Sequence, residues 1–418
     1  MTAIRRAAIV AVGSELLTAS RLDTNSLFIT EQLNLLGIDV VFKGVIGDEP
    51  SELAVAVSAA LARVDLLVCC GGLGPTDDDV TRDVVAQVLN RPLAEDEAIT
   101  ARISERFRSR GMQMPAINRR QAMVPAGACV LENPYGTAPG LWLEDAGRVV
   151  LLLPGPPREL KPMLVGFVET ALKARAAGVP RVRRIVRITG RSESHTEEAV
   201  RPLYAEWARA AVPISATILA SLGQIELHLS ARAGSREAAE AAIDAAAGQV
   251  AALMGPDVYS RDGRPLEQVL GEMLAERGLH IAVAESCTGG LLTSRLTDVA
   301  GSSRYVEQAV VAYANAAKVA LVGVPERLID EHGAVSEPVA IAMAEGIRTR
   351  AEVDVGVGVT GIAGPGGGSA DKPVGTVAIA AALGHITRSR VFRFLGEREQ
   401  IKFQASQAAL DMVRRMLM

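Results

Sequence analysis

Seven consecutive residues, Ala284-Glu285-Ser286-Cys287-Thr288-Gly289-Gly290, combine two nucleophiles, a carboxylate and a glycine pair. An apolar run precedes them and the leucine-rich segment 291–297 follows, so a strand, a turn and a helix are expected. At such a helix start the backbone N–H groups of Thr288, Gly289 and Gly290 lack intrahelical acceptors. They can stabilise an anion or a developing oxyanion, and glycines let a substrate approach the main chain closely. Ser286 and Cys287 are both candidate nucleophiles. A serine needs a base beside it. The chain has five histidines, His195, His228, His280, His332 and His385, and none falls within the turn. Lys318 is the alternative base. It closes the run Tyr313-Ala314-Asn315-Ala316-Ala317-Lys318 at an expected strand end, where α/β folds place catalytic groups. Burial would lower its pKa toward that role. The plainer alternatives are a simple helix cap at the turn, a buried small residue at Cys287 and a solvated lysine at position 318.

A second constellation lies near the other end. Gly71-Gly72-Leu73-Gly74-Pro75-Thr76-Asp77-Asp78-Asp79 follows one expected strand and precedes a helix. Gly72 and Gly74 would turn backbone N–H groups toward a phosphate or diphosphate. Three aspartates at the same place would repel that phosphate, and a divalent cation resolves the conflict. The alternative is an acidic helix start favoured by the dipole. Further loops, at Gly13-Ser14-Glu15-Leu16-Leu17, Asp23-Thr24-Asn25, 133–140 and Pro154-Gly155-Pro156-Pro157-Arg158-Glu159-Leu160, sit near strand ends and can converge on one crevice.

The elements that must position these groups follow from periodicity. Strands are expected at 7–12, 40–45, 66–70 and 149–153, and helices at 23–36, 51–63 (Ser51 as cap) and 79–89. This βαβα rhythm predicts a doubly wound sheet. Segments 182–188 and 224–230 alternate like half-exposed strands, accompanied by helices at 196–211 and 236–254. The last region repeats the α/β rhythm, with strands at 281–284, 306–313, 353–359, 375–382 and 388–394. Its helices are expected at 266–277, 291–297, 338–350 and 401–416. The fold class is α/β: two doubly wound, mostly parallel α/β domains, 1–172 and 260–418, joined by a small α+β module at 176–256.

Composition agrees. Hydrophobic residues are 49% and aromatics only 3%, so the cores are aliphatic, as suits sheets buried on both faces. The net charge of −4 gives no footprint for general nucleic-acid binding. Cys69, Cys70, Cys129 and Cys287 fit neither a zinc site nor a disulfide framework. A reducing cytoplasm is the expected location. The start is charged and enters a strand at once, unlike a signal peptide, and no apolar stretch reads as a membrane span.

Four motifs occur in order: the Ser286 heptad, Tyr313 through Lys318, Val359-Thr360-Gly361-Ile362-Ala363-Gly364-Pro365, and Lys372-Pro373-Val374-Gly375-Thr376-Val377. Together they resemble the C-terminal domain of the CinA (competence/damage-inducible) family, which is similar to nicotinamide mononucleotide (NMN) deamidases. The resemblance implies hydrolysis of the NMN carboxamide to nicotinate mononucleotide and ammonia, with no cofactor. Ser286 would be nucleophile, Lys318 base, and Tyr313 a positioning or relay group. Thr288, Gly289, Gly290, Asn315, Thr360, Gly361 and Gly364 would line the substrate pocket, with Arg393 and Arg398 on the phosphate. Ala314 stands where many relatives carry Ser. The N-terminal motifs resemble MoaB/MogA-type molybdopterin-binding domains, linked in this family to metal-dependent ADP-ribose pyrophosphatase activity yielding AMP and ribose 5-phosphate. That implies a divalent ion of the Mg, Mn or Co type on Asp77, Asp78, Asp79 and Glu15, with Asp83 behind them. Asn25, Gly72, Gly74, Thr76, Thr137 and Arg158 would contact substrate. Thr18-Ala19-Ser20 replaces a stretch where many relatives have Gly. The middle module resembles the family's KH-like linker. Its Gly190-Arg191-Ser192-Glu193 lacks the second glycine of an RNA-binding loop, which argues for bridging or dimer contact and against nucleic acid. The expectation is a bifunctional cytoplasmic homodimer acting on NMN and ADP-ribose. The rival expectation is a deamidase whose N-terminal domain only binds a molybdopterin-like ligand or a competence-related partner.

Overall fold

The computed structural model describes residues 3–418. They form two compact units, one of residues up to 182 with 232–240, the other of 183–231 with 241–418. The first unit opens with β1 (Arg6–Val12), α1 (Asn25–Leu35), β2 (Asp39–Ile46), α2 (Pro50–Leu61), β3 (Leu66–Cys70) and α3 (Thr81–Val88). It continues with β4 (Leu93–Glu95), α4 (Glu97–Arg108), β5 (Met123–Pro125), β6 (Cys129–Leu131), β7 (Gly140–Asp145), β8 (Arg148–Leu153) and α5 (Pro157–Phe167). Six strands form one sheet in the order β2-β1-β3-β8-β7-β6. Pairings from β2 through β8 are parallel, and those of β7 with β8 and β6 are antiparallel.

The central strand shows why the run is aliphatic throughout. Ala7, Ile9 and Ala11 of β1 join Ile29 and Leu33 of α1 and Leu160 and Leu164 of α5 in one core. Ala8, Val10 and Val12 join Leu53 and Val57 of α2 and Val84 and Val85 of α3 in another. A strand covered on both faces cannot alternate with polar residues. Each fully buried Val or Ile side chain contributes about 1.5–3 kcal/mol.

Several local readings differ from expectation. Ser51 does not cap α2: the helix starts at Pro50, with Glu49 at the cap, because proline's fixed φ suits the first helical position. The 154–160 motif is only half a loop, since α5 begins at Pro157 for the same reason. Helix α4 falls outside the expected elements. Only Ile99 and Ile103 of it are buried, too few apolar positions for a readable stripe.

The middle segment carries β9 (Arg181–Ile188), α6 (Glu193–Arg209), β10 (Ile214–Ser221), β11 (Gln224–Arg232), α7 (Arg236–Met254) and β12 (Val258–Ser260). Its sheet runs β10-β11-β9-β12, so the module continues beyond residue 256. The C-terminal region contains α8 (Leu266–Arg277), β13 (Ile281–Glu285), α9 (Leu291–Thr297), β14 (Val306–Val311), α10 (Asn315–Val322), α11 (Glu326–His332) and α12 (Glu337–Arg350). It ends with β15 (Val355–Gly361), β16 (Thr376–Leu383), β17 (Ile386–Arg393) and α13 (Arg398–Met416). The sheet order is β14-β13-β15-β16-β17, parallel through β15 and antiparallel beyond it.

Here too the central strand feeds both faces. Ile281 and Val283 pack with α8 and α13, while Ala282 and Ala284 pack with α10, α11 and α12. Helix α12 lies directly on β15: a Cβ on Gly358 would fall 2.3 Å from the Ala340 carbonyl oxygen. That approach needs glycine in the strand. Among the described residues no helix is long and apolar enough to cross a membrane.

Candidate functional sites

The end of β13 delivers Glu285, and the chain then turns through Ser286–Gly290 before α9 begins at Leu291. Gly289 and Gly290 hold φ of 60° and 91°, left-handed values that glycine reaches without penalty. The Ser286 N–H is tied to the Val359 carbonyl of β15 at 2.9 Å. On the other side, β14 stops at Val311 instead of reaching position 313. The shorter strand lets Ala312–Ala314 fold over into α10, which carries Lys318 back toward the turn.

Lys318 is 2% exposed and Ser286 6%. The Lys318 Nζ lies 3.1 Å from Ser286 Oγ, 3.2 Å from the Ala312 carbonyl and 3.1 Å from the Tyr313 carbonyl. Burial pushes its pKa below the ordinary lysine value, since desolvation penalises the charged form. A neutral amine has two hydrogens, and two carbonyls are there to accept them. Its lone pair is then left for the Ser286 hydroxyl. Cys287 differs: burial pushes its thiol up to about 12, so near neutral pH it stays protonated and weakly nucleophilic.

The anion position expected at the glycine pair is already filled from within. The fully buried Glu285 carboxylate accepts the N–H groups of Gly290 (3.0 Å), Leu292 (3.1 Å) and Thr293 (2.9 Å) and the Thr293 hydroxyl (2.6 Å). The Gly289 N–H goes to the Ser286 carbonyl at 3.1 Å. Gly289 and Gly290 therefore offer no free amide to a substrate, and they shape the turn instead. The N–H groups of Cys287 and Thr288 make no backbone hydrogen bond; Thr288 is fully buried, whereas Cys287 lines the cavity beside Ser286, so the Cys287 amide is the one that can meet a developing oxyanion. Whether a carboxylate folds inward depends on packing, so spacing alone does not reveal it.

A cavity of about 210 Å³ opens beside the Ser–Lys pair, lined by Tyr313, Asn315, Thr360, Gly361 and Arg398 among others. Ala363 of the 359–365 motif, with Ala334 and Val335, completes the wall; nothing in the sequence context of the last two marks them. The Thr360 hydroxyl donates to the Ala334 carbonyl at 2.8 Å. Arg398 donates to the Gly364 carbonyl (2.7 Å) and the Tyr313 hydroxyl (3.2 Å). Gly364 thus contributes through Arg398. Thr288, Gly289 and Gly290 do not line the cavity. Nor does Arg393, which pairs opposite Thr376 near the end of β17 and is exposed.

In the first unit, loops at the ends of β1, β3 and β8 surround a crevice of about 650 Å³. Glu15, Asn25, Gly72, Gly74, Asp78, Asp79 and Thr137 all line it. The Asn25 amide donates to the Gly155 carbonyl at 2.7 Å, tying two of the loops together. Asp77, Thr76 and Arg158 do not line it. Asp77 is fully exposed and pairs with Arg120 at 3.1 Å. Arg158 also projects to solvent. Asp79 is occupied: its carboxylate accepts the Gly74 N–H (2.7 Å), the Thr76 N–H (2.9 Å) and the Thr76 hydroxyl (2.6 Å). Among the described residues no three His, Cys, Asp or Glu side chains come together to hold a metal ion. Asp77, Asp78, Asp79 and Glu15 therefore do not fit a protein-built metal cage. Consecutive aspartates in a turn point in different directions. Asp23 and Glu159, from two of the expected loops, also face the crevice, as does Asp48, which no motif marks.

In the middle segment the Gly190–Glu193 loop starts a helix. The Ser192 side chain accepts the His195 N–H, and Arg191 is paired with Asp257.

A CinA-like protein of Koribacter versatilis is 46% identical over 417 residues, covering 98% of this chain and 99% of that protein. The chain belongs to the CinA family. A putative competence-damage inducible protein of Symbiobacterium thermophilum is 44% identical over 424 residues, covering 99% of both chains. Profiles described as "CinA C-terminal domain", "Probable molybdopterin binding domain" and "Damage-inducible protein CinA KH domain" match residues 263–417, 8–174 and 183–260 respectively. A solved CinA protein of unknown function from Thermoplasma acidophilum is 34% identical, covers 40% of this chain and 97% of its own, and has a TM-score of 0.38. This CinA-family chain thus joins a probable molybdopterin-binding-type domain, a KH module and a CinA C-terminal domain within parallel-rich α/β architecture.

Proposed function

We propose that the C-terminal domain is a Ser–Lys amidase that hydrolyses the carboxamide of NMN to nicotinate mononucleotide and ammonia. The observation that carries this reading is the buried Lys318 Nζ, 3.1 Å from Ser286 Oγ and fixed by two carbonyls. Neutral Lys318 takes the Ser286 proton as Oγ attacks the amide carbon. The oxyanion faces the N–H group of Cys287. Lys318 then passes the proton to the leaving nitrogen, and ammonia departs. Water attacks the resulting ester, its proton going to Lys318 and back to Ser286 Oγ as the acid leaves. Tyr313 contributes its backbone carbonyl to Lys318 and its hydroxyl to Arg398. Incubation of the purified protein with NMN should yield ammonia and nicotinate mononucleotide in equal amounts; intact NMN after prolonged incubation refutes the reading.

A second activity is favoured by one observation, the convergence of loops on the N-terminal crevice. We infer that this crevice takes ADP-ribose and that water cleaves its diphosphate to AMP and ribose 5-phosphate. The protein has no preformed cage for the divalent ion that supports such chemistry, so that ion would arrive on the diphosphate of the substrate. A titration of Mg²⁺, Mn²⁺ and Co²⁺ with ADP-ribose tests this. Absence of turnover with every metal favours a ligand-binding role for the domain.

A further inference from the structure

We infer that a groove shared by the KH module and the C-terminal domain binds a mononucleotide, with its flat ring on Phe392 and Phe394 and its phosphate on Arg388 and Arg390. The groove lies within the second compact unit. It shares no residue with the Ser286 cavity or the N-terminal crevice, and the inference rests on neither proposed reaction.

The strand pattern comes first. β17 is an outer strand of its sheet, and residues two apart on a strand share a face. Arg388, Arg390, Phe392 and Phe394 therefore form one row. The Phe392 and Phe394 rings stack, with centroids 5.3 Å apart and planes 8° from parallel. The Arg390 guanidinium lies 4.9 Å from the Phe392 centroid. Both rings stay half-buried, so the ladder keeps surface for a further flat group.

Size is the second point. The rest of the lining comes from α13 and from two turns of the KH module, at Gly190 and Gly223. Both glycines hold positive φ, 78° and 68°, which suits tight turns. A Cβ on Gly223 would lie 3.3 Å from Gln407 Cγ, so that turn rests directly on α13. The space enclosed is about 760 Å³, within the roughly 300–1,000 Å³ of sites that take a whole small ligand.

Charge is the third. Four guanidinium groups and two carboxylates line the groove. The carboxylates are engaged within the protein: Asp257 pairs with Arg191 and Arg415, and Asp411 with Arg414 and Arg415. Glu337 and Glu345 of α12 accept from Ser389 and Thr387, which belong to the other face of β17. Glu193, Glu226 and Glu399 lie outside the lining. Arg388 and Arg390 have no carboxylate partner among the described residues. Two guanidinium groups without counter-ions beside an aromatic ladder select an anion that carries a flat ring. A phosphate accepts directional N–H groups from both arginines, and a nucleobase stacks on an aromatic face whatever its sequence identity. The net charge of −4 offers no track for a longer nucleic acid.

The test is photolabelling of the full-length protein with azido-AMP, followed by peptide mapping. Label should fall on segments 386–394 and 404–412. Excess AMP should remove it, and adenosine, which lacks the phosphate, should need at least about tenfold more. The double variant Arg388→Gln, Arg390→Gln should lower labelling of these segments about tenfold. Both side chains are exposed, so its thermal melt should match that of the parent. Any label in the first unit should be unchanged. Absence of label from both segments, equal displacement by AMP and adenosine, or undiminished labelling of the variant overturns the site. Displacement by a short oligoadenylate at far lower nucleotide concentration than AMP also overturns it, by making the groove a single-strand track.

Discussion

The glycine turns after β3 and after β13 look alike in sequence, and each was expected to hold an external anion. In both, a carboxylate of the chain itself takes that place. After β13 it comes from the preceding residue, Glu285, which is fully buried and bound by four donors. After β3 it comes from downstream, Asp79, which is half-buried and holds Gly74 and Thr76. The difference lies in what remains. The C-terminal turn leaves one serine against one lysine beside a small cavity. The N-terminal turn leaves a larger crevice edged by scattered acids. A self-filled turn thus stands beside a Ser–Lys pair in one domain and at a crevice edged by acids in the other.

The largest expected effect separates the two domains by chemistry. Ser286→Ala and Lys318→Met should each lower ammonia release from NMN by 10³-fold or more, roughly the loss seen when a nucleophile or its base is removed. Neither should alter ADP-ribose turnover. A Lys318→Met effect confined to KM would make Lys318 a binding group. In the parent protein the amidase rate should rise with pH through the lowered Lys318 pKa, because the neutral amine is the base. The stability sign follows from the same shift. Between the lowered folded value and the ordinary value of about 10.4, the unfolded chain binds the extra proton, so stability rises with pH. Denaturant titrations should show that slope in the parent and lose it in Lys318→Met.

The next effect compares the two internal carboxylates by stability. Glu285→Ala leaves four donors without their acceptor and should cost about 3 kcal/mol or more, given about 1–3 kcal/mol per buried unsatisfied group. Asp79→Ala, whose donors can turn to water, should cost only about 1 kcal/mol. Chemical denaturation measures both, and equal losses would erase the distinction. The smallest effect concerns Ala314, which occupies the N-cap of α10 in an extended conformation with no side-chain cap. Ala314→Ser should stabilise by about 0.5–1 kcal/mol, visible as a small rise in Tm with amidase activity kept.

Much of this was legible because aliphatic runs bounded by glycine leave few choices. The strand at 66–70 and the helices at 236–254, 266–277 and 291–297 fall where periodicity puts them. β10 escaped because most of its residues are exposed, so no apolar face marks it. Ser286, Lys318, Thr360 and Arg398 were legible as motif residues, and the fold brings them to one cavity. The inward fold of Glu285, the diversion of Asp79 and the outward course of Asp77 were not. Each depends on which donors the folded backbone presents, and that is decided by tertiary packing.

The buried carboxylate behind Ser286 also bears on inhibition. A turn that carries its own counter-ion leaves dissolved phosphate or chloride only a single amide, that of Cys287, to bind beside the nucleophile. Such ions should therefore inhibit ammonia release only weakly.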